Sequence, residues 1–448
     1  MAAYWQRLGP SAVLAPTRAQ ASGWHIPWRQ LVPRRCWPSQ RSHPQARLLS
    51  TQPWRRSVRR HDPLAHQISC QVLSSRRDRR SIHIPTFLLP PLVFAGLLMA
   101  LWTWKCFMMV VFQNKIIYMP FFPPTSRSET IENWEGMCGG IKWVKEKTLS
   151  ADGKKLALAV ATVPLPKGRQ QASAASTQTT NKPPRAHIYI LYFQGNAGSI
   201  PPRLPDISWV LRAVSDSRTH DLSAHARQLT FVCLSYRGYW TSRGRPSEPG
   251  LRLDAEAGVR WIAERHKQTF GKDGATQTRP VLLVWGQSIG SGVATNLAAT
   301  GRVPRSMPVS GLLLETPFVS IKAMLQTLYP QKWLPYRHLG VFLRNHLDSW
   351  TNLGLMAQAA RDKGGSAPMV YILEAERDEL VPKEQSESLY QRCQEVGIPV
   401  EKGIVPVAFH QQAIARGDGK KLAAHAILTL AQNALDSSSS SSSSSNNT

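Results

Sequence analysis

A chain of 448 residues with 42% hydrophobic side chains is long enough for one large α/β domain or two ordinary ones. Its six cysteines (Cys36, Cys70, Cys106, Cys138, Cys233 and Cys393) are scattered without a CxxC pair, which argues against a disulfide framework or a zinc site. The net charge of +27 is uneven: residues 1–83 carry fifteen arginines, two aspartates, no lysine and no glutamate, and so +13 of the excess.

That first segment is rich in Arg, Ser, Pro and Gln, and its first acidic residue is Asp62. It resembles a mitochondrial presequence, with Arg47-Leu48-Leu49-Ser50-Thr51 as a cleavage end. A plain disordered basic tail competes with this reading. A nucleic-acid arm is disfavoured by the missing lysines and the several tryptophans, so no nucleic-acid partner is expected.

Residues 84–112 are apolar apart from Thr86, Thr103 and Lys105, and exceed the ~20 residues that cross a bilayer. A single transmembrane helix is expected, starting near Pro91 or kinked at Pro90-Pro91. Lys105 can snorkel to the interface, and Trp102 and Trp104 suit an aromatic belt. Arg76, Arg77, Arg79 and Arg80 precede the span, while only Lys115 and Arg127 lie in the twenty residues after it. The positive-inside rule then puts the N-terminus in the cytosol or matrix. The expected location is the mitochondrial inner membrane or the endoplasmic reticulum. The only N-x-S/T sequon, at Asn446, weighs mildly against a glycosylated lumen.

A catalytic domain is expected over 113–432. From about Lys155, strand and helix patterns alternate, which implies an α/β fold with a mostly parallel sheet covered on both faces. The expected strands are Leu156–Val163, Ile188–Phe193, Leu229–Leu234, Val281–Trp285, Leu312–Leu314, Met369–Leu373 and Gly403–Val407. A low-complexity insertion at 167–184 and the polar stretch His266–Arg279 read as surface loops. Residues 433–448, with the serine run Ser437–Ser445, read as a disordered tail.

Gly286-Gln287-Ser288-Ile289-Gly290 sits between an apolar strand and a helix-forming run. This is the layout of a nucleophile elbow, in which a serine is held on a strained turn above a parallel sheet. The pentapeptide alone is weak and can be a glycine-rich packing turn, so its context matters. A serine nucleophile needs a base, and the base needs an orienting carboxylate, in the chain order Ser, acid, His. Of the histidines after Met369–Leu373, His425 lies in an apolar helical pattern and reads as a packed helix residue. His410 follows the last strand directly, on a loop, where a base belongs. The acid has rivals. Glu374, Glu376, Asp378 and Glu379 all follow one strand, and Glu315 is a backup position. Asp378 is preferred because its short side chain sits on a turn, though helix capping is its bland alternative. The oxyanion needs two backbone N–H donors, expected from Ile289 and from Asn196 in Gln194-Gly195-Asn196-Ala197-Gly198.

Several blocks then share one resemblance. Tyr192–Gly198 resembles the oxyanion loop of the membrane-anchored α/β-hydrolase domain-containing proteins. Tyr236-Arg237-Gly238-Tyr239, with Gly244, Pro246-Ser247-Glu248 and Gly250, is similar to their next conserved loop. Trp285–Leu297 is closest to the elbow of the protein 12 branch, with the 13 and 17 branches related. Leu314-Glu315-Thr316-Pro317-Phe318 and Asp378-Glu379-Leu380-Val381-Pro382 also fit, so the resemblance covers about 110–430. It implies an α/β-hydrolase fold after one membrane span, and a serine hydrolase acting on acyl esters with no metal or cofactor. Members are monoacylglycerol or lysophospholipid lipases, and cousins remove palmitate from protein cysteines. Ser288, Asp378 and His410 match the family's triad positions. Gln194 stands where many members have His, Trp240 where the loop usually has Gly, and Ser291 where some have a second Gly. The alternatives are an acyl-protein thioesterase, which shares the same triad, a peptidase, and a non-catalytic membrane scaffold.

Overall fold

The computed structural model describes residues 85–165, 186–216, 222–271 and 278–443. The expectations for residues 1–83 and for the 167–184 insertion lie outside the described residues.

Eight strands form one sheet: β1 (Val144–Leu149), β2 (Lys155–Pro164), β3 (Ala186–Phe193), β4 (Ala226–Ser235), β5 (Arg279–Gln287), β6 (Val309–Glu315), β7 (Met369–Ala375) and β8 (Val400–Val405). Their order is β1-β2-β4-β3-β5-β6-β7-β8. The β1–β2 and β2–β4 pairs are antiparallel, and every other pair is parallel. This is the mostly parallel α/β-hydrolase sheet that the motifs implied.

The apolar runs become central strands because both faces of the sheet are covered. On β5 the alternation is visible: Val281, Leu283 and Trp285 join one core, while Leu282 and Val284 join the other. The two edges depart from expectation. β1 was not anticipated, because Val-Lys-Glu-Lys-Thr-Leu carries three charges and no apolar run. An edge strand tolerates such charges, since one side pairs and the other meets water. At the opposite edge, β8 starts at Val400, earlier than expected, and includes Glu401 and Lys402 for the same reason.

The helices used below are α1 (Leu89–Val111), α2 (Gln113–Tyr118), α3 (Leu204–Asp216), α4 (Glu248–Phe270), α5 (Ile289–Thr300), α6 (Ile321–Leu328), α7 (Ser349–Asp362), α8 (Lys383–Glu395) and α9 (Gly417–Ser443). α1 begins at Leu89, before the expected Pro91. Pro90 and Pro91 are accommodated in its first turn, where amides need no intrahelical acceptor. With the preceding turn it makes one stretch, Thr86–Val111, long and apolar enough to cross a membrane. The His266–Arg279 loop is corrected in part. His266–Phe270 are the end of α4, whose start is capped by Ser247 Oγ accepting from the Gly250 amide. The Tyr189 hydroxyl meets His266 Nδ1 at 3.1 Å, and Nε2 meets the Thr278 carbonyl at 3.0 Å, so this last turn is anchored. The expected tail is also corrected: α9 runs past residue 433 to Ser443. Its apolar face, through Ala431 and Ala434, packs on the sheet, and serine is a tolerable helix former once a helix is nucleated.

Arg237, in the loop after β4, has a structural role. It pairs with buried Asp254 on α4 at 2.8 Å and with Asp152 of the β1–β2 turn at 2.8 Å. It thereby pins the edge hairpin to a helix.

His187 on β3 makes the fold pH-sensitive. It is buried, stacks on Tyr189 at 4.4 Å between centroids, and meets Thr230 Oγ1 at 2.8 Å. Burial, with a smaller push from His266, drives its pKa down to about 4. The unfolded chain therefore binds more protons between about pH 6.5 and 4. The stability that neutral His187 carries is full above about 6.5 and is lost as pH falls towards 4. The loss approaches about 3 kcal/mol at most. Denaturation midpoints measured from pH 7 to 4.5 should fall steeply, and less steeply in His187→Gln.

Candidate active site

The elbow is set by contacts that only glycine permits. A Cβ on Gly286 would lie 2.2 Å from the Gly290 carbonyl oxygen, and one on Gly290 would lie 2.2 Å from that of Phe193. These close approaches pack α5 onto β5 and β3, and force the chain to turn sharply between them. Ser288 takes up the turn at φ 52° and ψ −116°, a conformation that L-residues rarely adopt. Its amide donates to the Glu315 carbonyl at 2.9 Å, and Ser291 Oγ donates to the Gly286 carbonyl at 2.8 Å. Ser291, one of the departures from the family pattern, thus braces the turn.

Parallel strands bring the other residues to the same edge of the sheet. Ser288 follows β5, Asp378 follows β7 and His410 follows β8, all at carboxyl ends. The loop after β8 leans back across the sheet until His410 Nε2 is 2.9 Å from Ser288 Oγ. His410 Nδ1 is 2.8 Å from Asp378 Oδ2. Asp378 Oδ1 accepts from the amides of Leu380 and Val381 at 2.9 and 2.8 Å, which fixes the carboxylate. Both Ser288 and His410 are buried.

The rival carboxylates have other partners. Glu379 accepts from the His410 amide at 3.0 Å, and Glu376 from the Val407 amide at 2.6 Å, so both hold the histidine loop rather than its ring. Glu374 accepts from Ser386 Oγ at 2.7 Å and pairs with Lys402 at 3.5 Å. Glu315 is fully buried, bonded to Arg203 and accepting from Trp285 Nε1 at 3.0 Å. His425 sits on α9 with its ring edge-on to Tyr371, 6.3 Å between centroids, outside the cluster.

The loop Gln194–Gly198 lies at the carboxyl end of β3, beside the elbow. Gly195 N donates to Gln287 Oε1 at 3.4 Å. Ala197 N donates to the Tyr118 carbonyl at 3.0 Å, and Gly198 N to that of Phe122 at 2.6 Å. Among the described residues, the Asn196 amide between them has no such acceptor. Ile289 opens α5, where first-turn amides lack intrahelical acceptors. The supports Tyr118, Phe122 and Gln287 escaped the sequence reading. Tyr118 and Phe122 lie some 75 residues upstream, and no local pattern links them to the loop. Gln287 occupies a variable position of the elbow motif; its Oε1 also accepts from the Tyr192 hydroxyl at 2.8 Å. At the departure Gln194, Nε2 donates to the Ala197 carbonyl at 3.3 Å, while Oε1 is buried without a hydrogen-bond partner among the described residues. Trp240 is held at φ 41°, with Nε1 donating to the Glu129 carbonyl at 2.7 Å. Among the described residues no group of three or more His, Cys, Asp or Glu is placed to hold a metal ion.

No family model matches the chain. It is similar to Protein bem46 of Schizosaccharomyces pombe, 30% identical over 210 residues, which is 47% of this chain and 58% of the relative. It is 35% identical to the lysophosphatidylserine lipase ABHD12 of Mus musculus over 205 residues, 46% of this chain and 45% of that protein. Protein ABHD12B of Homo sapiens is 33% identical over 183 residues, 41% of this chain and 44% of its own length. The chain thus spans about half the length of the curated relatives it matches. These homologues agree with the motif resemblance to the protein 12 branch. Among solved structures, a fungal esterase from Rhizomucor miehei aligns with a TM-score of 0.44 at 13% identity, over 70% of this chain and 91% of that one. Esterase LipW from Mycobacterium marinum aligns with a TM-score of 0.43 at 16% identity, over 68% and 86%.

Proposed function

We propose that this chain is a membrane-anchored serine hydrolase that cleaves acyl esters of lipids, of the lysophospholipid or monoacylglycerol kind. The observation that carries the reading is the hydrogen-bonded series from Ser288 through His410 to Asp378. Asp378 accepts from Nδ1–H of His410, which leaves Nε2 as the acceptor facing Ser288. Ser288 Oγ attacks the acyl carbonyl while Nε2 takes its proton. The tetrahedral oxyanion is held by the amides of Ile289 and Asn196. Nε2 then returns the proton to the leaving alcohol, and a water repeats the sequence on the acyl-enzyme. Asp378 stays ionised throughout and stabilises the imidazolium.

The lipid class rests on the lysophosphatidylserine lipase relatives and on the apolar stretch Thr86–Val111, which we read as one membrane span ahead of a hydrolase domain. The arginines before it favour a cytosolic or matrix N-terminus. The test is a panel of lysophosphatidylserine, other lysophospholipids, monoacylglycerols and a palmitoyl-thioester peptide, given to the full-length protein in detergent micelles with Ser288→Ala as blank. The highest rate is expected on a lysophospholipid or monoacylglycerol. A preference for the thioester overturns the substrate class, and a blank as active as the wild type overturns the nucleophile.

A further inference from the structure

The contacts between α1 and the segment linking β6 to α7 have an unexpected depth. Trp102 packs on Trp333 at 5.8 Å between ring centroids. Lys105 Nζ lies 4.3 Å from the ring centre of Tyr336 and 5.9 Å from that of Tyr329. The Tyr329 hydroxyl reaches Met109 Sδ at 4.0 Å, and Arg344 donates to the carbonyls of Val110 and Val111 at 3.0 and 3.1 Å. The contact therefore covers the last ten residues of α1, about 14 Å along its axis.

Those turns cannot stand clear of the bilayer. Without them the span shrinks to Thr86–Leu101, about 24 Å of helix. The hydrocarbon core is about 30 Å thick. For α1 to cross, at least the turn Trp102–Lys105 must enter the membrane, and the part of the segment packed on it, at Trp333 and Tyr336, must go too. The outer surface of that segment suits this. Trp333 is 68% exposed, Val341 82% and Phe342 58%. Lys105 would be costly at such a depth, but the two tyrosine faces receive its charge.

We infer that the segment 328–344 is a membrane-embedded shoulder, inserted beside α1 into the bilayer interface through Trp333, Val341 and Phe342. Its occupant is the lipid bilayer itself, because the surface is continuous with the apolar helix. The segment leaves β6 at the carboxyl end of the sheet, the end that carries Ser288. The linker after α1 meanwhile holds the Gln194–Gly198 loop through Tyr118 and Phe122. The shoulder thus sets the catalytic end of the domain against the membrane, and acyl chains reach it from lipid. This inference rests on the membrane-span reading above.

The test uses the full-length protein with Cys36→Ser, Cys70→Ser and Cys106→Ser, reconstituted in phosphatidylcholine vesicles. One environment-sensitive fluorophore (NBD) is attached at Val341→Cys or at Trp333→Cys. Phe94→Cys reports on the span, and Glu264→Cys on an exposed position of α4. Nitroxide lipids labelled near the head group should quench the Val341→Cys and Trp333→Cys probes at least two-fold and leave Glu264→Cys bright. Nitroxides near the chain end should quench Phe94→Cys. If Phe94→Cys is quenched while both shoulder probes stay bright, the shoulder is overturned and the span stands. If Phe94→Cys is not quenched, the span fails and the shoulder with it. Shoulder probes that ignore nitroxide lipids but self-quench as labelled copies are crowded point to a second copy of the chain, and also overturn it.

Discussion

Replacing Ser288 by alanine is expected to lower kcat for ester hydrolysis by roughly 10⁵-fold, and to abolish labelling by a fluorophosphonate probe. The reason is geometric. Among the described residues no other hydroxyl is bonded to His410 Nε2, so without Ser288 Oγ the imidazole has no nucleophile to activate. What catalysis remains is expected to come from binding and from the proposed oxyanion amides of Ile289 and Asn196, which the substitution leaves in place. Retained labelling in Ser288→Ala would place the nucleophile elsewhere. The same position separates catalytic cost from structural strain. At φ 52° and ψ −116° any side chain is strained, by about 1–3 kcal/mol, whereas glycine is at ease. Ser288→Gly should therefore unfold at a higher denaturant concentration than Ser288→Ala, although both are inactive. A glycine variant less stable than the alanine one would mean that the turn is not strained in solution.

The second large effect distinguishes two carboxylates, the half-buried Asp378 and the fully buried Glu315. Asp378→Asn should reduce kcat by about 10⁴-fold while leaving the denaturation midpoint nearly unchanged. An asparagine can keep accepting from Leu380 and Val381, but its amide no longer fixes the His410 tautomer or stabilises the imidazolium. Glu315→Gln should do the opposite. It leaves the Arg203 guanidinium, whose side chain is 14% exposed, without its counter-charge, and weakens the acceptor for Trp285. Losing one partner of a buried pair costs about 3–5 kcal/mol. Stability should fall by that order, with kcat in the surviving folded fraction within about ten-fold of wild type. Urea denaturation alongside single-turnover kinetics on both variants decides it. A catalytic collapse in Glu315→Gln with Asp378→Asn still active would exchange their roles.

How far the sequence reached depended on how local each signal was. The central strands were legible because both faces of the sheet are buried, so Val281–Trp285 and Met369–Leu373 are written as unbroken apolar runs. β1 was not, because an edge strand with three charges looks like a loop. The carboxyl end of α4 was read as a loop because its polar residues are fixed by contacts from Tyr189 and Thr278.

The elbow belongs to the local kind. Gly286, Ser288 and Gly290 stand within five residues, and the sterics that require those glycines come from the turn itself and the strand beside it. Ser288 could be proposed as the nucleophile from the sequence for that reason, given its strand and helix context, and His410 as the base almost as directly, as the loop histidine after the last strand. The acid is the opposite case. Glu374, Glu376, Asp378 and Glu379 lie within six residues, with Glu315 on the neighbouring strand, and the sequence favoured Asp378 only by its place on a turn and its match to the family's motif. Only the folded chain assigned Glu376 and Glu379 to the histidine loop, Glu374 to Ser386 and Lys402, and Glu315 to Arg203 and Trp285, leaving Asp378 against the imidazole. The bracing of the Gln194–Gly198 loop by Tyr118 and Phe122, and the depth at which α1 meets Trp333, were likewise decided in three dimensions. Each depends on side chains and carbonyls far apart in the chain, whose distances are set by strand order and helix packing rather than by spacing along the sequence.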